Sequence, residues 1–159
     1  MDEELILSTL GDLMAQVRWT RPGEATPLTH AFVTDSRKVK LFSDVPAAAQ
    51  PACFQAEWGD DVQQVTGLPY KWVIGVNWII YHQFGKQGKD NLGALENNCI
   101  LNGVRAVLAP KPTDPGFPDK RNSLGGLVWH CFINGRLFKD PGDVDGQAMM
   151  VVPIKLLVP

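Results

Sequence analysis

The sequence predicts an α+β fold: a single domain spanning residues 1–159, in which a mostly antiparallel β-sheet carries two main helices packed on one face. Three observations predict it. Residues 71–82 and 148–158 are long, β-branched runs with strand periodicity, while residues 3–17 and 91–108 repeat their apolar side chains at helical spacing. The elements also follow one another as helix, strands, helix, strands, which is the α+β order rather than the alternation of a parallel α/β sheet.

Asp2 is placed to cap the first helix, with Glu3 and Glu4 at its favourable N-terminal end and Ile6, Leu7, Leu10, Leu13, Met14 and Val17 on one stripe. Gly11 within it costs roughly 1 kcal/mol relative to Ala. Residues 19–30, with Pro22, Gly23 and Pro27, form a loop excursion, followed by short strands through residues 30–34 and ending near Phe42. Residues 52–58 alternate as a short strand, and the polar, acidic residues 59–67 are expected to be a loop or hairpin tip. In residues 71–82 the better core face holds Trp72, Ile74, Val76, Trp78 and Ile80. Residues 85–89 turn the chain, and Asp90 or Asn91 can cap a second helix. Leu92, Leu95, Cys99, Ile100, Val104, Val107 and Leu108 are expected to face inward, with Asn97, Asn98 and Asn102 toward water or neighbours. Four prolines between residues 110 and 118 exclude helix and strand, so residues 109–122 are a second excursion.

Residues 127–133 alternate as a strand with Leu127, Trp129, Cys131 and Ile133 on one face. Asn134-Gly135 supplies the chemistry of a two-residue turn, so residues 136–139 are expected to fold back as a hairpin. The last strand, residues 148–158, contains Pro153, which has no N–H for the ladder and predicts an edge position or a bulge.

The chain has 159 residues, 45% of them hydrophobic and 20% charged, with net charge -2. That balance leaves no basic surplus for binding nucleic acid or an anionic membrane. No apolar run reaches spanning length, and the acidic start MDEELILSTL gives no signal peptide, so a cytoplasmic origin is expected. Cys53, Cys99 and Cys131 are an odd, widely spaced set, expected to be reduced and core-filling.

No catalytic residue is assigned. His82, His130 and Cys131 are the tempting set, but adjacent strand residues point to opposite faces, so His130 cannot serve Cys131. No metal and no cofactor is expected, because zinc-ligand spacings are absent and the Asp140, Asp143 and Asp145 cluster lacks the EF-hand pattern. Gly125-Gly126 precedes a strand and has no phosphate-loop partners, so it reads as a bend. Aromatic residues beside loops or on a second strand face often mark interfaces, which selects Trp19, Trp58 and Trp129. Phe117 joins them as an anchor of the proline-rich excursion, and removal of residues 113–118 is expected to leave the subunit folded.

Four stretches in order, SDVPAAAQPACF (43–54), TGLPYKW (66–72), LGGLVWHCFINGRL (124–137) and D-x-x-x-x-D-x-Q-A followed by VVPIKLLVP (140–159), resemble the tail terminator proteins of tailed bacteriophages, the lambda-like U-type minor tail proteins. The resemblance spans most of the chain; the sequence departs from it at residues 19–30, which are longer than in typical members, and at the proline-rich residues 110–122. It implies a non-enzymatic structural protein of the virion, in the tail and neck region, assembled in the host cytoplasm. It implies a homohexameric ring that ends the tail tube, contacts the tail tube protein and the head-tail connector or neck protein, and lets genome DNA pass without specific binding. Asp60 and Asp61, or Asp140, Asp143 and Asp145, would then line or rim the channel, since a basic lining would hold the DNA. The alternatives are a head-tail adaptor or tail-completion protein of the neck and, more distantly, a small-molecule-binding domain or enzyme.

Overall fold

In the computed structural model, which describes every residue except 22, 65, 70, 84–91 and 144 and the side chain of Leu92, the chain is one α+β domain. Helix α1 (Glu3–Asp12) leads through a 3-10 turn to strands β1 (Thr34–Ser36), β2 (Ala52–Gln63) and β3 (Lys71–Gln83). Helix α2 (Leu92–Leu108) follows, then β4 (His130–Ile133), β5 (Phe138–Asp140) and β6 (Gln147–Val158). The sheet order is β1-β2-β3-β6-β4, with β5 also on β6. Among the described residues only β1 pairs parallel to its neighbour.

The helices form where the apolar stripes predict. Asp2 caps α1 through its carboxylate, which accepts from the Leu5 N–H at 3.0 Å. Ile6, Leu7 and Leu10 join Ile100, Leu101 and Val104 of α2 in one core with Ile74, Val76, Trp78 and Ile80 of β3 and the matching side chains of β6. Gly11 has a packing reason: a Cβ there would lie 3.2 Å from Arg37 Cδ, so the helix gives up propensity to let the Arg37 stem cross it. On the other sheet face a smaller cluster, Val45, Ala52, Phe54, Ala56, Ile79 and Tyr81, covers one end only.

Several expectations are corrected. The first short strand is residues 34–36, not 30–34, and Phe42 begins a 3-10 turn. Strand β2 runs to Gln63 rather than stopping at Trp58, because residues 60–63 stay in register with β3 across a bulge at Trp58. The Asn134-Gly135 hairpin does not form. β4 and β5 both pair with β6, at residues 154–157 and 149–151, so the chain continues along the same edge instead of reversing.

Pro153 explains the break between them. Its carbonyl accepts the Asn134 N–H at 3.0 Å, which places its own missing N–H toward the same side. The gap between β4 and β5 lies where β6 has no donor to offer. Neither the edge position nor the bulge expected of the last strand is found: β6 lies inside the sheet and pairs with β3 without a shift of register, and the interruption falls in the neighbouring edge, opposite the proline.

On α2, Ile100, Val104, Val107 and Leu108 are buried as expected, but Leu95 is exposed and Asn97 is buried, with Glu96 buried beside it. The polar pair is held by specific partners: Trp19 Nε1 and Arg21 Nε donate to Glu96, and His82 Nε2 lies 2.7 Å from Asn97 Oδ1. The turn and helix cap expected at residues 85–91 lie outside the described residues.

Candidate functional site

The β2 edge is built from local chemistry. β1 covers only residues 52–54, so the outer side of residues 55–63, away from β3, has no strand on it among the described residues. The bulge between Glu57 and Gly59 turns out Trp58, which is 71% exposed. Around it, Asp60 accepts the Trp72 indole N–H at 2.7 Å, and Asp61 stands 3.6 Å from Lys155. Register places Asp60 and Asp61 on opposite sheet faces, paired with Ile74 and Val73. The N-terminus of α1 adds Glu3 and Glu4. Burial and the nearby Asp60 carboxylate push Glu3 above its ordinary range, whereas hydrogen bonds from Arg37 hold Glu4 and Glu57 below theirs.

The opposite edge is closed by the chain itself. The Trp129 carbonyl accepts from Arg121 Nη1 at 2.6 Å, and the Cys131 N–H donates to the Asn122 carbonyl at 2.7 Å. The Arg121 guanidinium also stacks 3.7 Å above the Trp129 ring, which is 54% exposed. Asp114 holds the loop behind this strap: its carboxylate accepts the N–H groups of Gly116, Ser123 and Gly125 and the Ser123 hydroxyl. Desolvation opposes the charge, but the Ser123 hydroxyl and the three N–H donors outweigh it and lower the pKa to about 2. Beside β4, a cleft of about 390 Å³ is lined by Arg105, Lys120 and His130 over Leu108, Pro110 and Phe132. Among the described residues no carboxylate lines it.

Across the strand ends an open groove of about 1290 Å³ brings Asp60, Asp61 and Trp129 together with Trp72, Val158 and Pro159. The other selected residues go elsewhere. Trp19 is a correction: it is 1% exposed, a core residue whose indole N–H meets Glu96, so it anchors the 19–30 loop inward rather than presenting an interface. That loop is closed at its neck by two backbone hydrogen bonds between Trp19 and His30. Phe117 is 42% exposed on the second excursion. Asp140 and Asp145 each accept a turn N–H, from Gly142 and Gln147, and with exposed Asp143 they lie at the other end of β6 from Asp60 and Asp61.

The three reactive candidates are dispersed. Cys131 lies in the main core, where burial pushes its thiol up to about 12, and His130 stacks on Phe132 on the other face. His82 belongs to a buried polar end cluster: Gln147 donates to the His82 carbonyl and exchanges hydrogen bonds with Gln50. Sequence reasoning missed Gln50, Glu96, Asn97 and Gln147 here, and the Asn-rich stretch of α2 was the one available signal. Among the described residues no group of three His, Cys, Asp or Glu side chains comes together to hold a metal, and no helix is long and apolar enough to cross a membrane. No family model matches the chain, and no curated protein matches it either.

Proposed function

We propose that this protein is a structural component of a phage virion, a ring at the head-proximal end of the tail tube that ends the tube and joins it to the head connector. The observation that carries the reading is the presence of exposed aromatic side chains, Trp58 on one sheet edge and Trp129 with Phe138 on the other, on two different surfaces of one subunit. Different surfaces give heterologous contacts, and heterologous contacts that close make rings. The ordered resemblance of four stretches to tail terminators supplies the tail context and the six-fold expectation.

A single ring places one acidic group in its channel, because the two groups lie at opposite ends of the sheet. The turn carrying Asp143 and Asp145 is assigned to the lumen, since Asp60 and Asp61 flank an exposed tryptophan on a sheet edge. The 1290 Å³ groove floored by Trp72 and Trp129 favours a second reading, a small-molecule site. The deciding experiment is native mass spectrometry of the protein alone and mixed with tail tube protein, together with its copy number in particles. Six copies per particle and binding to tube ends are expected. A protein that stays monomeric or dimeric in the assembled particle would overturn the ring.

A further inference from the structure

Two surface features at opposite edges of the sheet complement each other in chemistry and charge. On the β2 edge, the bulge thrusts out one indole, Trp58, followed by Asp60 and Asp61 on the two faces of the sheet, while Glu57 before it is taken up by Arg37. On the β4 edge, the 390 Å³ cleft has an apolar floor of Leu108, Pro110 and Phe132 and a rim of Arg105, Lys120 and His130. The asymmetry extends beyond the rims: residues 99–139 contain six Lys and Arg against Asp114 and Asp119, both engaged in hydrogen bonds within the strap. We propose that the partner for each edge is a second copy of this chain, with Trp58 of one copy seated in the Arg105–Lys120–His130 cleft of the next.

The chemistry suits both halves of the contact. An aromatic anchor entering a desolvated pocket is the commonest kind of interface hot spot, and a cationic rim favours an indole face as well as the carboxylates beside it. Asp60 and Asp61 meet Arg105 and Lys120 at the rim, where opposite charges steer encounter and fix register. The strap matters for geometry. Since Arg121 takes the Trp129 carbonyl and Asn122 the Cys131 N–H, a strand of the next copy would have to displace this segment, and docking goes through side chains instead. Knob and cleft lie on different edges, so one copy can engage two neighbours at once, which gives a head-to-tail chain that continues or closes. The assignment rests on the ring reading and names where its subunits touch.

The test is sedimentation velocity of the whole chain over a range of concentrations, with folding checked by circular dichroism. Trp58→Ala should weaken self-association roughly thirtyfold. Asp60→Lys with Asp61→Lys, and separately Arg105→Glu with Lys120→Glu, should each weaken it on the order of a hundredfold through like-charge rims. Asp61→Lys alone keeps the Asp60–Trp72 hydrogen bond and should act in the same direction with a smaller effect. An equimolar mixture of the two double variants should assemble again, because each reversed knob then finds a reversed cleft. Restoration also proves that both variants are folded. Wild-type assembly with all variants unaffected would overturn the edge assignment and leave the ring standing, and a mixture that stops at a dimer would overturn head-to-tail docking. A wild-type chain that stays monomeric at every concentration would instead remove the ring reading itself.

Discussion

At β4 the Trp129 carbonyl and the Cys131 N–H are taken up by Arg121 and Asn122, whereas the outer side of β2 at residues 55–63 has no strand on it among the described residues, only a bulge and carboxylates. The contrast separates two ways of guarding a sheet edge. A covered edge derives its protection from an ordered segment, which must itself be stable; a bare edge is protected by twist and charge, which leaves its side chains free to meet something else. Substitutions in the segment that covers the first edge should therefore change folding, and substitutions of the side chains that the second edge leaves in water should change association.

The largest effect is expected at Asn122. Its buried amide donates to the Leu108 carbonyl, ending α2, and accepts the Leu124 N–H. Asn122→Ala leaves both backbone groups without this partner and should destabilise the fold by about 3 kcal/mol in urea unfolding. Asp114→Ala comes next, at about 2 kcal/mol, because four donors converge on one carboxylate. For the same reason, excising residues 113–118 should loosen the strap, contrary to the expectation drawn from the prolines.

Asp114 also gives this edge a pH signature. Its folded pKa of about 2 lies below the ordinary carboxylate value near 4, so its contribution is fully present at neutral pH. It is lost as pH falls from about 4 through about 2. Asp114→Asn should flatten acid unfolding in that window, and an unchanged profile would detach the carboxylate from the stability of the strap. The smallest effect is expected at Trp58, where truncation to Ala should shift stability by no more than about 0.5 kcal/mol because the side chain is mostly in water. A loss of several kcal/mol there would make the bare edge part of the core and erase the comparison.

The same contrast separates what could be read in the chain from what could not. The long alternation of β3 and the stripes of α1 and α2 were legible because each buries one face over many residues. Residues 60–63 were misjudged as a loop because an exposed strand end carries no apolar alternation, and only pairing with β3 reveals it. Asn134-Gly135 has hairpin chemistry in isolation, yet β6 offers both flanking segments a ladder and overrides it. Trp19 was chosen for lying beside a loop, and nothing local shows that Glu96, far along the chain, waits for its indole N–H. Trp58 and Trp129 were found by residue type, but the strap that distinguishes their edges depends on partners eight and nine residues apart and on one carboxylate in a proline-rich stretch.

Pro153 has a consequence for how the sheet keeps its alignment. Every other residue of β6 that faces β4 and β5 has a donor as well as an acceptor to match, so a repetitive apolar strand could slide by two residues and keep its side chains on the same faces. Such a slip would set the four-residue interruption against backbone that needs a partner and a paired residue against backbone that has no hydrogen to give. The proline thus acts as a key cut into the middle of the strand, permitting one alignment of β4 and β5 and leaving the residues between them free to change in number without disturbing it.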